Sequence, residues 1–132
     1  MVAEEDAPLR QSRNGRRLLE NLPNGGSISE GGPTSFRLLQ IDTTVIHPEY
    51  CSSPTVYPGR ITQGMLCATA DLSGIDACQG FGGSGLISQS AKRIRLIGVV
   101  NWGEGCGRPN KPTVYSQTGL HAEWIRRTLE GQ

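Results

Sequence analysis

Alternation of apolar and polar residues predicts short β-strands along most of the chain after residue 35. The clearest pattern covers residues 93–100, where alternation passes into an apolar run that is typical of a buried strand. Shorter β-rich patterns cover residues 36–41, 43–46, 65–68, 85–88 and 113–115. Helical spacing is present only near the C-terminus, at Leu120, Trp124, Ile125 and Leu129. The pattern therefore predicts an all-β domain closed by a C-terminal helix.

Two stretches before these strands lack such a pattern. Residues 1–20 are polar and show no apolar periodicity, so we expect a mobile tail there. Residues 21–35 are rich in glycine and proline and are expected to form an exposed loop. A length of 132 residues is enough for one domain and too short for two ordinary ones. We therefore expect a single domain over residues 21–132.

Composition agrees with a β-rich domain and excludes several classes of partner. Glycine accounts for 18 residues and proline for 8, and both interrupt helices and favour turns. A net charge of +1 gives no global field that would attract nucleic acid or an anionic membrane. No apolar run approaches the roughly 20 residues of a membrane-spanning helix. We therefore expect neither nucleic acid nor a membrane among the partners.

Four cysteines are the candidates for covalent or metal chemistry: Cys51, Cys67, Cys78 and Cys106. None lies in a C-x-x-C pair, and neither His47 nor His121 stands at zinc-finger spacing from them. This spacing favours two disulfides over a metal site, so no metal or other cofactor is expected. Spacing alone leaves all three pairings open.

Disulfides indicate an oxidising compartment, yet residues 1–20 contain no apolar core of a signal peptide. Two explanations of this conflict stay open. Either the chain is a processed or truncated product, or its cysteines remain reduced in the cytosol.

Three ordered motifs carry a resemblance to a known family. Residues 76–85 read D-A-C-Q-G-F-G-G-S-G, residues 98–106 read G-V-V-N-W-G-E-G-C, and residues 111–115 read K-P-T-V-Y. With the closing Trp124-Ile125 pair, they resemble the C-terminal half of a trypsin-like serine protease, from about Asn21 to Leu129. The resemblance implies the second six-stranded Greek-key barrel of that fold. We expect this barrel to be incomplete, with its first strand lost or replaced by residues 1–20.

The resemblance also implies a disulfide pairing. Cys51 would bond Cys67, and Cys78 would bond Cys106. A further bridge of the family is missing, because Ser88 stands in place of one of its cysteines. Each bridge would stabilise the fold by roughly 3 kcal/mol in the chain-entropy model. Family and disulfides together imply an extracellular or secretory-pathway location.

The catalytic groups that the family requires are missing from this sequence. The serine nucleophile aligns with Gly82, which has no side chain, and the aspartate before it aligns with Phe81. Ser84 lies two positions later and would need a two-residue slip of the loop to act as nucleophile. Neither His47 nor His121 matches a catalytic position, and the motif that carries the catalytic aspartate is missing too. We therefore expect no peptide hydrolysis by this chain alone.

Parts of the family's substrate-binding surface persist. Gly80 and Gly82 would still offer backbone N–H groups as an oxyanion hole. Asn101, Trp102 and Gly103 match the edge segment that pairs with an extended substrate. Binding along that edge requires no catalytic side chain.

The resemblance places a specificity pocket beside this edge. Asp76 stands where trypsin has the carboxylate that selects lysine or arginine. Thr113 replaces a glycine, so its branched side chain would narrow the pocket above Asp76. Asp76 either recognises a basic side chain or makes only a local hydrogen bond.

Four hypotheses about function follow. The first is a truncated, inactive relative of the trypsin-like endopeptidases that binds a protein or peptide without cutting it. A second is one half of an active protease whose other half was lost from the gene, but the changes at Phe81, Gly82 and Thr113 argue against it. A third is a secreted binding module, because the Asn-Trp-Gly and Pro-Thr-Val-Tyr-Ser variants are similar to those of inactive glucanase inhibitor proteins of oomycetes, which bind plant endoglucanases. The fourth is a decayed gene product without a stable fold.

The family fold implies one further surface. Trypsin-like proteases pack two barrels face to face, and this sequence supplies one at most. The face that would meet the other barrel is expected to be exposed, which predicts poor solubility or self-association.

Overall fold

A computed structural model describes residues 15–18, 30–32, 40–70 and 82–131. These residues form six strands: β1 Gly15–Leu18, β2 Gln40–Ile46, β3 Met65–Ala70, β4 Gly85–Ser90, β5 Arg93–Trp102 and β6 Thr113–Gln117. The one-turn helix α1 covers Pro48–Cys51, and a 3-10 turn over Thr118–His121 leads into helix α2, Ala122–Leu129. Neither helix is long and apolar enough to cross a membrane.

The strands pair in one closed antiparallel ring, in the order β1, β2, β3, β6, β5, β4 and back to β1. Neighbours β3 and β6 are distant in sequence, as a Greek-key connection requires. The predicted all-β, six-stranded barrel with a C-terminal helix is therefore confirmed.

Strand β1 is the main difference from the sequence-based expectation. Gly15–Leu18 lies within the predicted mobile tail, yet it pairs with β2 on one side and with β4 on the other. The tail prediction is wrong for these four residues, and the rest of residues 1–20 lies outside the described part of the chain. Four residues are too few to show alternation, and backbone bonds to both neighbours hold the strand in place. Of the two expectations for the first strand, that it is lost or that residues 1–20 replace it, the structure agrees with the second.

The barrel interior is filled by buried side chains from four strands, and the partly buried Ile97 and Val100 of β5 pack against them. Its buried members are Val45, Leu66, Ala68, Leu86 and Tyr115. Gly98 of β5 lies against this cluster, because a Cβ built there would stand 3.0 Å from the Cβ of Tyr115. A larger residue at this position would push β5 away from β6.

A second core covers the outer faces of β3 and β6. Cys67 and Val114 are paired in register and lie under Cys51, Val56 and Tyr57 of α1 and the following loop. The disulfide between Cys51 and Cys67 ties this loop to β3, which confirms one of the two expected bridges. Both central strands are thus buried on both faces.

Of the second expected disulfide, the structure describes only Cys106. Cys106 is disulfide-bonded, whereas its predicted partner Cys78 lies outside the described residues. The pairing of Cys78 with Cys106 stays a prediction.

Tyr57 fixes the covering loop to the far end of β5. Its ring is fully buried, its hydroxyl donates to the carbonyl oxygen of Pro112 at 2.8 Å, and it accepts from the backbone N–H of Glu104 at 3.0 Å. One phenol therefore joins the loop after α1 to both ends of the connection between β5 and β6, which lies 47 to 55 residues further along the chain.

Replacement Tyr57→Phe is expected to lower the free energy of unfolding by about 1–3 kcal/mol, because it leaves two backbone groups without their buried partner. Urea unfolding with the disulfides intact measures this loss. Tyr50→Phe is the matched control: the Tyr50 hydroxyl is exposed and donates to the Asn110 side chain, so water can replace it. We expect a loss below about 0.5 kcal/mol for the control. Equal losses in the two variants would contradict the anchoring role of Tyr57.

Candidate functional site

The loop before β4 continues the β4–β5 ladder to Val100. Gly83 donates its N–H to the carbonyl oxygen of Val100 at 2.9 Å, and Val100 donates back to the carbonyl oxygen of Ser84 at 2.8 Å. Gly83 has φ +84°, a left-handed conformation that favours glycine. These bonds fix where residues 82–84 lie relative to the end of β5.

Gly82, at the position where the sequence resemblance places the family's nucleophile, is exposed in this loop. A Cβ built there meets no atom of the described residues within 4 Å. The position therefore faces open space, as an attacking group must, but carries no atom that could attack. Ser84, two positions later, is half-buried.

Both histidines of the sequence are described, and both hydrogen-bond at the starts of helical segments. His47 Nδ1 accepts from the backbone N–H of Glu49 at the start of α1, at 3.3 Å. His121 Nδ1 lies 2.8 Å from the carbonyl oxygen of Gln117, to which it donates. Among the described residues, neither ring makes a hydrogen bond with Ser84.

The last residues of β5 form the second part of the site. Val100 pairs with Tyr115 and Trp102 with Val114, so the ladder to β6 is irregular at Asn101. The Asn101 side chain donates to Ser116 Oγ at 3.1 Å. On the side of β5 that faces β4, backbone pairing with the described residues ends at Val100. Asn101, Trp102 and Gly103 therefore present a strand side that no described strand occupies.

Gly103 and Thr113 lie against each other at the end of β5. A Cβ on Gly103 would stand 3.6 Å from the Cα of Thr113 and 3.5 Å from the carbonyl oxygen of Pro112. Thr113 is only 5% exposed, so its branched side chain occupies space within the fold. This placement is compatible with a narrowed pocket, whose predicted base, Asp76, lies outside the described residues.

Trp102 is held between an aromatic ring and a cation. Its ring meets Tyr57 edge to face at a centroid distance of 4.7 Å, and the Arg60 guanidinium lies 4.3 Å from its centroid. Arg60 also pairs with Glu104 at 2.6 Å, and Lys111 lies 3.4 Å from the other Glu104 oxygen. The orientation of Trp102 is therefore fixed by Tyr57 and Arg60 of the loop after α1, and Glu104 of a second loop holds Arg60 in place.

Glu104 is the electrostatic centre of this group. Desolvation acts to raise its pKa, but hydrogen bonds and charge from Lys111 and Arg60 outweigh it and hold the pKa of the Glu104 carboxyl below its usual range. Because its pKa is lowered, the Glu104 carboxyl is ionised and keeps its ion pairs at neutral pH. These ion pairs are lost only when the pH falls through the lowered pKa. The link between the two loops is thus intact at neutral pH.

The structure brings the described site residues together at one end of β5: Gly82, Ser84, Asn101, Trp102, Gly103 and Thr113. Asp76 and Gly80 lie outside the described residues, so their predicted roles stay predictions. Sequence reasoning missed Arg60, Glu104 and Lys111, because residues so far apart along the chain give no periodic signal. Over the described ranges, no group of histidine, cysteine or carboxylate side chains could hold a metal ion.

Comparison with known proteins identifies the family. The family model described as Trypsin matches residues 24–125. Coagulation factor XII of Bos taurus is 41% identical over 104 residues, which cover 76% of this chain and 17% of that protein. Transmembrane protease serine 11E of Mus musculus is 40% identical over 101 residues, or 76% of this chain and 24% of the relative. Transmembrane protease serine 11G of Mus musculus is 34% identical over 102 residues, with the same coverage.

The chain thus spans no more than a quarter of the length of these relatives. The family model, in contrast, matches well over half of the chain. It covers β2 to β6 and the start of α2, and the motifs around Gly82, Trp102 and Thr113 lie within it. The chain therefore belongs to the trypsin family of serine proteases.

Proposed function

We propose that this chain binds an extended polypeptide segment along Asn101, Trp102 and Gly103 and does not cleave it by the family's mechanism. The observation that carries the proposal is the exposed glycine at position 82, which stands beside an otherwise preserved binding edge. Acyl transfer in this family requires a nucleophilic oxygen and a base to take its proton. Gly82 supplies neither.

The alternative nucleophile is poorly placed for this chemistry. The carbonyl oxygen of Ser84 accepts from Val100 within the ladder, so the slip that would bring Ser84 to position 82 must break this bond. His47 and His121 are engaged at helix starts. A histidine or aspartate on another part of a longer polypeptide would still find no hydroxyl at residue 82. The proposal of inactivity therefore rests on a residue within this chain.

Binding without cleavage has support from the open side of β5. An added strand gains affinity from main-chain hydrogen bonds and specificity from pockets for alternate side chains. Trp102 is fixed by Tyr57 and Arg60, so this edge is ordered before a ligand arrives. The neighbouring pocket accepts a basic side chain if Asp76 faces it, and otherwise contributes shape alone.

A secreted inhibitor that holds a glycosidase is the second candidate. The two segments that carry this similarity lie side by side, since Trp102 of β5 pairs with Val114 of β6. The disulfide between Cys51 and Cys67 supports an extracellular location for either function. Capture of an endoglucanase by the chain, without capture of extended peptides, would favour the inhibitor.

We propose a second surface, on helix α2, for association with another barrel or a second copy. Helix α2 exposes Trp124 at 67% and Leu129 at 82%. Its charged side chains, by contrast, are ion-paired with one another: Glu123, Arg126, Arg127 and Glu130. The apolar side is therefore the part of the helix left for a partner.

The chain with intact disulfides should form no covalent adduct with an alkyl fluorophosphonate, which labels activated serine residues. Intact-mass spectrometry measures the adduct, and an active trypsin treated in parallel shows that the reagent works. Ser84→Ala serves as the matched variant and should give the same unlabelled spectrum. An adduct on Ser84 that this variant abolishes would contradict the proposed inactivity.

A capped hexapeptide with a central arginine should shift backbone amide NMR signals at residues 99–103. Methylation of alternate peptide nitrogens should weaken binding tenfold or more, because it removes the donors of a paired strand. Exchange of the arginine for norleucine separates the two alternatives for Asp76. If Asp76 recognises a basic side chain, the norleucine peptide should bind more weakly; if Asp76 makes only a local hydrogen bond, the two peptides should bind equally well. Equal affinity of the methylated peptide, or shifts only at distant residues, would refute the edge as the binding site.

Self-association through α2 should appear as a concentration-dependent sedimentation coefficient. The double variant Trp124→Gln and Leu129→Gln should shift the chain towards the monomer, because it removes apolar area from the exposed side. Ile94→Gln, at an apolar residue exposed on β5, is the control and should leave the sedimentation unchanged. A wild-type chain whose sedimentation coefficient does not change with concentration would contradict self-association through this surface.

A further inference from the structure

The cations whose side chains the structure describes fall into two groups that differ in their ion pairs. Five are paired with carboxylates: Arg60, Arg108, Lys111, Arg126 and Arg127. Of the cations with described side chains, the three without a described carboxylate partner are Lys92, Arg93 and Arg95. All three belong to the hairpin that joins β4 to β5. Unpaired positive charge is therefore concentrated at one place on the described surface.

The hairpin holds these cations in a defined arrangement. Ser90 pairs with Arg93 and Ser88 with Arg95, and Ser90 Oγ donates to the carbonyl oxygen of Arg93 at 3.4 Å. Arg93 and Arg95 are two residues apart on one strand, so they share a face at a spacing of about 7 Å. Lys92 extends the row into the turn.

Among the residues that the structure describes, negative charge is remote from this row. The sequence contains no aspartate or glutamate from residue 77 to residue 103. On the sheet, Asp42 of β2 is separated from β5 by β1 and β4, and it lies opposite Arg16 of β1. No described carboxylate therefore cancels the field of the three cations locally, although the chain as a whole is nearly neutral.

We infer that the β4–β5 hairpin binds a sulfated polysaccharide chain. A linear polyanion can lie along the row and offer one sulfate to each cation, with release of its counterions. Disulfide-bonded cysteines place the chain in an oxidising compartment, where the polyanions are sulfated polysaccharides rather than nucleic acids. The hairpin also lacks an aromatic ring on which a base could stack, since residues 82–101 contain none.

A lipid surface fits the hairpin less well. Ile94 and Leu96 are exposed, but they alternate with Arg93 and Arg95 and so face the other side of the strand. A flat membrane can meet only one face of the strand at a time. It therefore cannot contact the arginines with its phosphates and the aliphatic side chains with its lipid tails together. A polymer chain needs only the cationic face.

This site is independent of the proposed peptide edge. The hairpin lies at the beginning of β5 and the peptide edge at its end, about 25–30 Å along a ten-residue strand. Loss of polysaccharide binding would therefore leave peptide binding intact, and the reverse holds as well.

The test is a fluorescence titration of the full chain with a sulfated octasaccharide prepared from heparin, at several salt concentrations. The double variant Arg93→Gln and Arg95→Gln should weaken binding tenfold or more. It should also lower the slope of log affinity against log salt by about 2, since each lost contact releases about one counterion fewer. The matched control is the double variant Arg126→Gln and Arg127→Gln. It has the same net charge as the hairpin variant, but it should bind the octasaccharide as tightly as the wild type. Hydrogen exchange of the wild-type chain should show protection confined to the hairpin.

Equal weakening of the two double variants would overturn the proposal, because binding would then follow net charge alone. Binding of the desulfated octasaccharide with unchanged affinity would overturn it too. So would tighter binding to phosphatidylserine vesicles than to the octasaccharide, which would assign the hairpin to a membrane. Protection outside the hairpin would refute the site even if a variant failed to fold.

Discussion

Burial of β3 and β6 on both faces is the constraint on which the other features depend. Leu66 lies opposite Tyr115 inside the barrel, while Cys67 and Val114 lie side by side beneath the loop that follows α1. A strand pair that is covered on both sides cannot shift in register without exposing one apolar set. The loop, the disulfide and the end of β5 are all positioned against this fixed pair.

The candidate site combines an ordered scaffold with a glycine at position 82, where the sequence resemblance places the nucleophile. Tyr57 and Trp102 hold the end of β5, and the Gly83–Val100 bond holds the loop across from it. These contacts use backbone and aromatic groups, which serve binding and folding alike. Catalysis in this family, in contrast, depends on a few side chains that contribute little to stability. A chain of this family can therefore lose its reacting groups and still keep the shape of the surface around them.

Sequence patterns predicted those parts of the fold in which burial imposes a repeat. The strands expected at residues 85–88, 93–100 and 113–115 lie within β4, β5 and β6. The helix was also expected, although the structure begins it at Ala122 and places Leu120 in the preceding 3-10 turn. The Cys51–Cys67 bridge followed from family resemblance, since spacing alone allowed three pairings. Strand β1 and the Arg60–Trp102 contact gave no local signal, because one depends on its neighbours and the other joins distant loops.

Closure of the ring by β1 has a consequence for the order of folding. Gly15 must find Ser88, and this long-range contact carries a larger loop entropy than the hairpin between β4 and β5. Until that contact forms, β2 and β4 each present an unprotected margin of backbone donors and acceptors. Such margins recruit strands from other molecules. By pairing with both β2 and β4, the four residues of β1 cover these two strand edges and so protect the folded barrel from the aggregation to which the incompletely folded chain is prone.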